Sequence, residues 1–145
     1  MTDDTAAVAG LSGGPAASRP LRVLVVDDDK DTVISLMLLL RTEGHDAIGV
    51  GTAAAAWDSM REFDPDAVLL DIGLPDKSGY DVAREFRRWF GLLERRPVII
   101  AVTAWNKGSD RILAQLAGFD HHVGKPYDPQ ALLGLLAPLT AGLRL

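Results

Sequence analysis

The sequence predicts an α/β domain built on a five-stranded parallel sheet with helices on both faces. Five short runs rich in branched apolar residues alternate with longer segments of helical hydrophobic spacing. The runs are apolar on both faces, which is typical of strands that lie between two layers of helices. A length of 145 residues with 48% hydrophobic residues is enough for one well-packed domain and too little for two.

Each predicted strand is a short apolar run that ends at a polar or turn-forming residue. Three consecutive aspartates end the first strand, and a single aspartate ends the third. The fourth strand is the most apolar of the five. In order, the predicted strands are Leu21–Val26, Asp46–Val50, Ala67–Leu70, Pro97–Val102 and His121–Val123.

Capping residues mark most ends of the predicted helices. Gly44 stops the first helix, Thr52 is the N-cap of the second, and Gly118 ends the fourth. A loop over 73–79 precedes the third helix, and Asp128 caps the last one, where proline occupies the favoured first helical position. The predicted helices are Thr32–Thr42, Thr52–Phe63, Tyr80–Phe90, Lys107–Ala117 and a last helix from Pro129.

Composition restricts the class of protein. Residues 1–20 are rich in Ala, Gly, Ser and Pro and show no hydrophobic period, so they predict a disordered tail before a domain at 21–145. The absence of cysteine excludes disulfides and thiol catalysis, and a net charge of −5 does not indicate direct nucleic-acid binding. No membrane span or secretory signal is visible, and we expect a cytoplasmic protein.

Polar residues follow four of the predicted strands at the same edge of the sheet. Asp27 and Asp28 end the first strand, Asp71 ends the third, Thr103 follows the fourth and Lys125 follows the fifth. Ligands of open parallel sheets bind at this edge. Converging carboxylates repel one another unless a hard cation such as Mg²⁺ joins them. The lysine, the hydroxyl and a nucleophilic carboxylate together suit a phosphoryl group.

Four segments carry a family resemblance over residues 21–142. They are VLVVDDDKD at 23–31, AVLLDIGLPDKSGYDVAREFR at 67–87, VIIAVTA at 98–104 and AGFDHHVGKPYDP at 117–129. The chain resembles the receiver domains of bacterial response regulators and hybrid histidine kinases, and five signature positions coincide in order and context. The resemblance implies the flavodoxin-like (βα)5 receiver fold.

The resemblance also implies roles for the acidic residues. Asp71 corresponds to the phosphorylated aspartate. Asp28 and Asp71 would bind Mg²⁺ directly, Asp27 mainly through metal-bound water, and the backbone carbonyl of Gly73 would be a further ligand. Without a side chain, Gly73 cannot orient an attacking water, so we expect a long-lived phosphorylated form.

The resemblance also implies roles for residues in and directly after the last two predicted strands. Thr103 corresponds to the switch hydroxyl and Lys125 to the signature lysine, with Lys125–Pro126 as a cis peptide. His122 stands where many receivers carry a switching Tyr or Phe. Trp105, two residues after Thr103, is bulky and is expected to cover the approach of water.

The first helix carries two apolar stripes. One contains Leu36, Leu39 and Leu40, and the other contains Val33, Ile34, Met37 and Leu38. A single broad buried face is one interpretation. Comparison with receivers favours another, in which the first stripe is buried and the second faces water as a binding surface. The partner would be a histidine kinase or a histidine phosphotransfer protein.

We therefore predict a phosphoacceptor receiver of a two-component phosphorelay, with no output domain and no catalysis beyond its own phosphorylation and dephosphorylation. It would take a phosphoryl group from phosphohistidine onto Asp71 and change its protein contacts, with an unknown downstream target. A homodimer and a piece cut from a longer protein stay open.

Three alternatives compete with this hypothesis. An aspartyl phosphatase usually carries a second aspartate at the position of Gly73. A flavodoxin-like cofactor binder needs a hydroxyl- or glycine-rich loop after the first strand, where this chain has aspartates. A pseudo-receiver would lack part of the acidic and basic set that is intact here.

Overall fold

A computed structural model describes residues 19–90, 96–104 and 118–141 of the protein. Its strands are β1 (Arg22–Val26), β2 (Asp46–Val50), β3 (Ala67–Leu70), β4 (Val98–Thr103) and β5 (His121–Gly124). They form one parallel sheet in the order β2-β1-β3-β4-β5. The predicted fold class is confirmed.

Side-chain caps determine where the helices begin. Thr52 and Asp128 each accept a hydrogen bond from a backbone amide of the first turn, so both predicted N-caps are confirmed. The first helix starts before the predicted Thr32 because Asp29 caps it. The described helices are α1 (Lys30–Thr42), α2 (Ala53–Phe63), α3 (Gly79–Phe90) and α4 (Pro129–Thr140).

Some predictions fall outside the described residues, namely the helix at 107–117, the role of Trp105 and most of the tail at 1–20. At the first described residue, the backbone amide of Arg19 donates to the carbonyl of Thr140 (2.8 Å), which ties the chain to the end of α4.

The sheet has a separate apolar layer on each face. Leu40 of α1 and Leu132 of α4 are fully buried on one face. Met60 of α2 and Phe86 of α3 are buried on the other, where the ring of Trp57 stacks on Phe86 with 5.4 Å between centroids. Each such burial contributes about 1.5–3 kcal/mol to stability. The sheet therefore has a hydrophobic core on each face, between its strands and the helices.

The strand order places a topological switch point between β1 and β3. From β1 the chain passes to its neighbour β2 on one side and then returns to β3 on the other side. The loops that leave β1 and β3 therefore diverge and open a crevice at the carboxyl ends of the strands. No helix in the described part of the chain is long and apolar enough to cross a bilayer.

Candidate functional site

The backbone hydrogen bonds of the sheet extend one residue past β1 and β3, to Asp27 and Asp71. The amide of Asp27 donates to the carbonyl of Val50 (3.0 Å), and that of Asp71 donates to Val26 (2.9 Å). Both carboxylates are buried, with exposed fractions of 3% and 8%. Because rigid strand ends carry them, the two groups converge in the crevice, whereas Asp28 is exposed at its rim.

The three carboxylates can hold a divalent cation. Asp27, Asp28 and Asp71 each offer an oxygen, and these oxygens lie within 4.8 Å of one another. Two opposite Mg²⁺ ligands lie roughly 4.2 Å apart, since each bond is about 2.1 Å long. A small inward movement would therefore complete part of a magnesium shell. The donor set fits Mg²⁺, because it contains only hard oxygen ligands.

Lys125 supplies the positive charge of the site. Its Nζ donates to Asp27 Oδ2 at 2.7 Å and lies 3.9 Å from Asp71 Oδ1. The predicted cis peptide between Lys125 and Pro126 is present. The ammonium group thus bridges the two buried carboxylates, although Lys125 comes 98 positions after Asp27 in the sequence.

The local electrostatics show that the acidic cluster is incompletely neutralised. Burial and the charge of Asp27 raise the pKa of Asp71, and Lys125 only partly opposes them. Burial pulls the pKa of Lys125 down, but its hydrogen bond to Asp27 and the charge of Asp71 outweigh that effect and raise it. The site therefore holds a surplus of negative charge that favours a bound cation.

Comparison with known proteins gives the family. The model of the response regulator receiver domain matches residues 23–137. The chain belongs to this family. Receiver domains of response regulators act in two-component signalling, and phosphorylation and Mg²⁺ binding are typical of them.

Relatives and solved structures agree with this assignment. The DNA-binding response regulator MtrA of Mycolicibacterium smegmatis is 38% identical over 112 residues, which are 77% of this chain and 47% of that protein. The chain thus spans about half the length of the curated relatives it matches.

A two-component response regulator of the LuxR family from Aurantimonas sp. is 27% identical, with a TM-score of 0.74 over 87% of this chain and 89% of that one. A CheY-like receiver domain from Methanospirillum hungatei shares the fold at 24% identity, with a TM-score of 0.75 over 86% and 96% of the two chains.

The two residues predicted to act in a switch, Thr103 and His122, lie on adjacent strands. The backbone of Thr103 pairs with Gly124 at the end of β4, next to Lys125, whereas the side chain of Thr103 lies outside the described residues. His122 pairs with Ala101 and is half-buried. Its Nε2 is enclosed and finds no hydrogen-bond partner among the described residues, which leaves the ring without a polar tether at that atom.

The second apolar stripe of α1 is only partly exposed, which corrects the prediction. Ile34 and Leu38 are 64% and 67% exposed, as expected. Val33 and Met37 are instead half-buried and pack towards β2. Gly49 explains the difference, since a Cβ there would collide with Val33 and lie 2.9 Å from the Met37 sulfur. The missing side chain in β2 leaves space that both residues fill.

One polar contact beside the site has no counterpart in the sequence predictions. Asp76, in the loop between β3 and α3, accepts hydrogen bonds from the amides of Ala53 (2.9 Å) and Ala54 (3.1 Å) at the start of α2. An aspartate in a loop after a strand is a weak capping signal. Sequence spacing could not identify its partner, because the start of the helix it caps lies more than twenty residues earlier in the chain.

Proposed function

We propose that this receiver accepts a phosphoryl group from phosphohistidine on Asp71, with Mg²⁺ bound by Asp27, Asp28, Asp71 and the carbonyl of Gly73. The observation that carries the proposal is the Asp71 carboxylate between two further aspartates and the Nζ of Lys125, 3.9 Å away. This arrangement joins a nucleophilic oxygen, a cation site and a fixed positive charge in one crevice.

The chemistry follows from these positions. An oxygen of Asp71 attacks phosphorus in line, a new oxygen–phosphorus bond forms, and the phosphorus–nitrogen bond breaks as the imidazole keeps its electron pair. Lys125 stabilises an equatorial phosphoryl oxygen. Mg²⁺ would neutralise the carboxylates and the remaining oxygens. Asp71 must be ionised to attack, and a cation held by the three aspartates would favour that form against the burial that raises the pKa of Asp71.

The same contacts support a conformational switch. A phosphoryl group on Asp71 would offer acceptors to the hydroxyl of Thr103, drawing the end of β4 towards the site. His122 lies on the paired strand, and a shift of its ring would break no hydrogen bond at Nε2 within the described structure. The switch then alters the surface that a downstream protein contacts.

The donor is proposed to be a histidine kinase or a histidine phosphotransfer protein, the classes with which receiver domains interact. Ile34 and Leu38 expose apolar surface on α1, a helix that begins three residues after Asp27. Val33 and Met37 would support this surface from below. We propose output through protein contacts, since the net charge of −5 offers no excess of basic residues for binding nucleic acid. We also propose a cytoplasmic location.

Intact-mass measurement after incubation with Mg²⁺ and acetyl phosphate tests the proposal. The wild type should gain one phosphoryl group and Asp71→Asn should gain none. Asp58→Asn is the matched control, because Asp58 is an exposed aspartate on α2 that pairs only with Arg61 in the described structure. Phosphorylation of Asp71→Asn, or full phosphorylation of the wild type without any divalent cation, would refute it.

A further inference from the structure

The loop over 72–78, which follows Asp71, is closed at its base. The amide of Gly79 donates to the carbonyl of Ile72 (2.8 Å). A Cβ on Gly79 would collide with the carbonyl oxygen of Asp71 and lie 2.6 Å from Cα of Ile72, so the two ends of the loop touch. With its ends joined, the loop depends on contacts at its tip to fix its orientation.

Leu74 packs against the core on one side of the loop, and Asp76 provides the main polar contact of the tip within the described residues. Its two carboxylate oxygens accept hydrogen bonds from Ala53 and Ala54, which are the first two amides of α2 and lack partners inside the helix. Ionised carboxylates are favoured at a helix N-terminus, and the Ala53 amide lowers the pKa of Asp76. The neighbouring ion pair between Lys77 and Glu85 is exposed on both sides and contributes less.

The anchored loop carries Gly73. A Cβ on Gly73 would lie 3.9 Å from Oδ2 of Asp71, so the Gly73 backbone lies beside the phosphoacceptor carboxylate, and its amide opposes the rise in the pKa of that carboxyl. We propose that Asp76 is a positioning residue for the phosphoacceptor site. Its hydrogen bonds to the start of α2 hold the loop in the orientation that turns the Gly73 backbone towards Asp71. This inference rests on the proposed function, in which the carbonyl of Gly73 and Asp71 share one cation.

The alternative is that Asp76 merely caps α2. The chain contains a matched control for that role. Thr52 caps the same helix, accepting from the amide of Ala55 at 3.1 Å, and belongs to the segment before α2 instead of the loop after Asp71. Loss of either cap removes one set of first-turn hydrogen bonds from α2. Only loss of Asp76 also releases the loop.

The experiment compares Asp76→Ala, Asp76→Asn and Thr52→Ala in the full chain. Calorimetric titration with Mg²⁺ gives the affinity of the site, acetyl phosphate gives the phosphorylation rate at each Mg²⁺ concentration, and urea titration gives stability. Both alanine variants should lower the urea midpoint to a similar extent. Only Asp76→Ala should weaken Mg²⁺ binding, roughly tenfold, as loss of a group that orients a metal ligand does. Asp76→Asn should give an affinity between those of Asp76→Ala and the wild type, because its single amide oxygen can accept only one of the two hydrogen bonds.

Equal Mg²⁺ affinities for Asp76→Ala and Thr52→Ala would overturn the inference and leave Asp76 as a helix cap. If Asp76→Ala does not fold, the same comparison is made between Asp76→Asn and the wild type at saturating and limiting Mg²⁺. There, a loss of rate confined to limiting Mg²⁺ supports the inference, and equal rates overturn it. A wild type that binds Mg²⁺ but takes no phosphoryl group would instead refute the proposed function, and the titration would still decide the role of Asp76.

Discussion

Replacement of Lys125 by methionine should destabilise the metal-free protein and make its stability depend more strongly on Mg²⁺. The Nζ of Lys125 is 2.7 Å from Asp27 and 3.9 Å from Asp71, both of which are buried. Removing one member of a buried ion pair costs about 3–5 kcal/mol. Lys125 is 23% exposed, so water screens part of the interaction and we expect a loss of about 2 kcal/mol.

Mg²⁺ should recover much of that loss. In the wild type a cation must compete with the ammonium of Lys125 for the oxygens of Asp27 and Asp71. Without that competitor and without its repulsion, the cation should bind about tenfold more tightly, which adds about 1.4 kcal/mol to the free energy of unfolding at saturating Mg²⁺. Methionine keeps the length and apolar stem of lysine, so the packing changes little.

Urea unfolding followed by circular dichroism, with EDTA and with Mg²⁺, measures both quantities. Arg61→Met is the control, because it removes one positive charge from an exposed pair with Asp58 and should cost less than about 1 kcal/mol under both conditions. The reasoning is refuted if Mg²⁺ stabilises the Lys125→Met variant no more than the wild type. It is equally refuted if the metal-free variant is as stable as the wild type.

Three further expectations concern other parts of the molecule. Ile34→Asp should slow phosphotransfer from a histidine kinase or histidine phosphotransfer protein roughly tenfold and leave the acetyl phosphate reaction unchanged. Equal losses with both donors would contradict a docking role for the exposed surface of α1. Burial lowers the pKa of His45 below its ordinary value of 6.5, and its Nδ1 accepts from Leu21 (3.0 Å). The unfolded chain therefore binds this proton more tightly, and stability should fall as pH drops below about 6.5. His45→Asn should flatten that fall in urea titrations, and an unchanged slope would count against it. Gly73→Asn should shorten the lifetime of the phosphorylated form in mass measurements, because among the described residues a Cβ there meets only Asp71 Oδ2, at 3.9 Å, which leaves space for a side chain that orients water. An unchanged lifetime would exclude that role.

The convergence of Asp27, Asp71 and Lys125 could be predicted because parallel strands align their carboxyl ends at one edge. The alternation of apolar runs and helices was sufficient to place the residues there. Sequence could not tell which aspartate Lys125 bonds. The 2.7 Å contact with Asp27 depends on how far the ends of β1 and β5 are offset along the strand direction. That offset follows from side-chain packing across the whole sheet.

The rotation of α1 shows a second limit. Periodicity identified two apolar stripes and left the rotation open, and the resemblance to receivers correctly indicated Leu36 and Leu40 as buried and Ile34 and Leu38 as exposed. It could not place Val33 and Met37, because their burial depends on the absence of a side chain at Gly49 in another element. The cap that Asp76 provides for α2 escaped prediction for the same reason, since tertiary contacts carry no local sequence period.

The bond between Lys125 and Asp27 joins residues that are 98 positions apart. During synthesis the ribosome exposes the acidic residues long before this lysine leaves the exit tunnel, so a nascent chain holds unpaired carboxylates and cannot complete its charge balance. Contacts between such distant positions form late, because their loop-closure entropy is not repaid until the intervening elements have assembled. Assembly of this ion pair is therefore tied to synthesis of the chain through β5, and a fragment that ends before this strand would lack the positive charge beside Asp27 and Asp71.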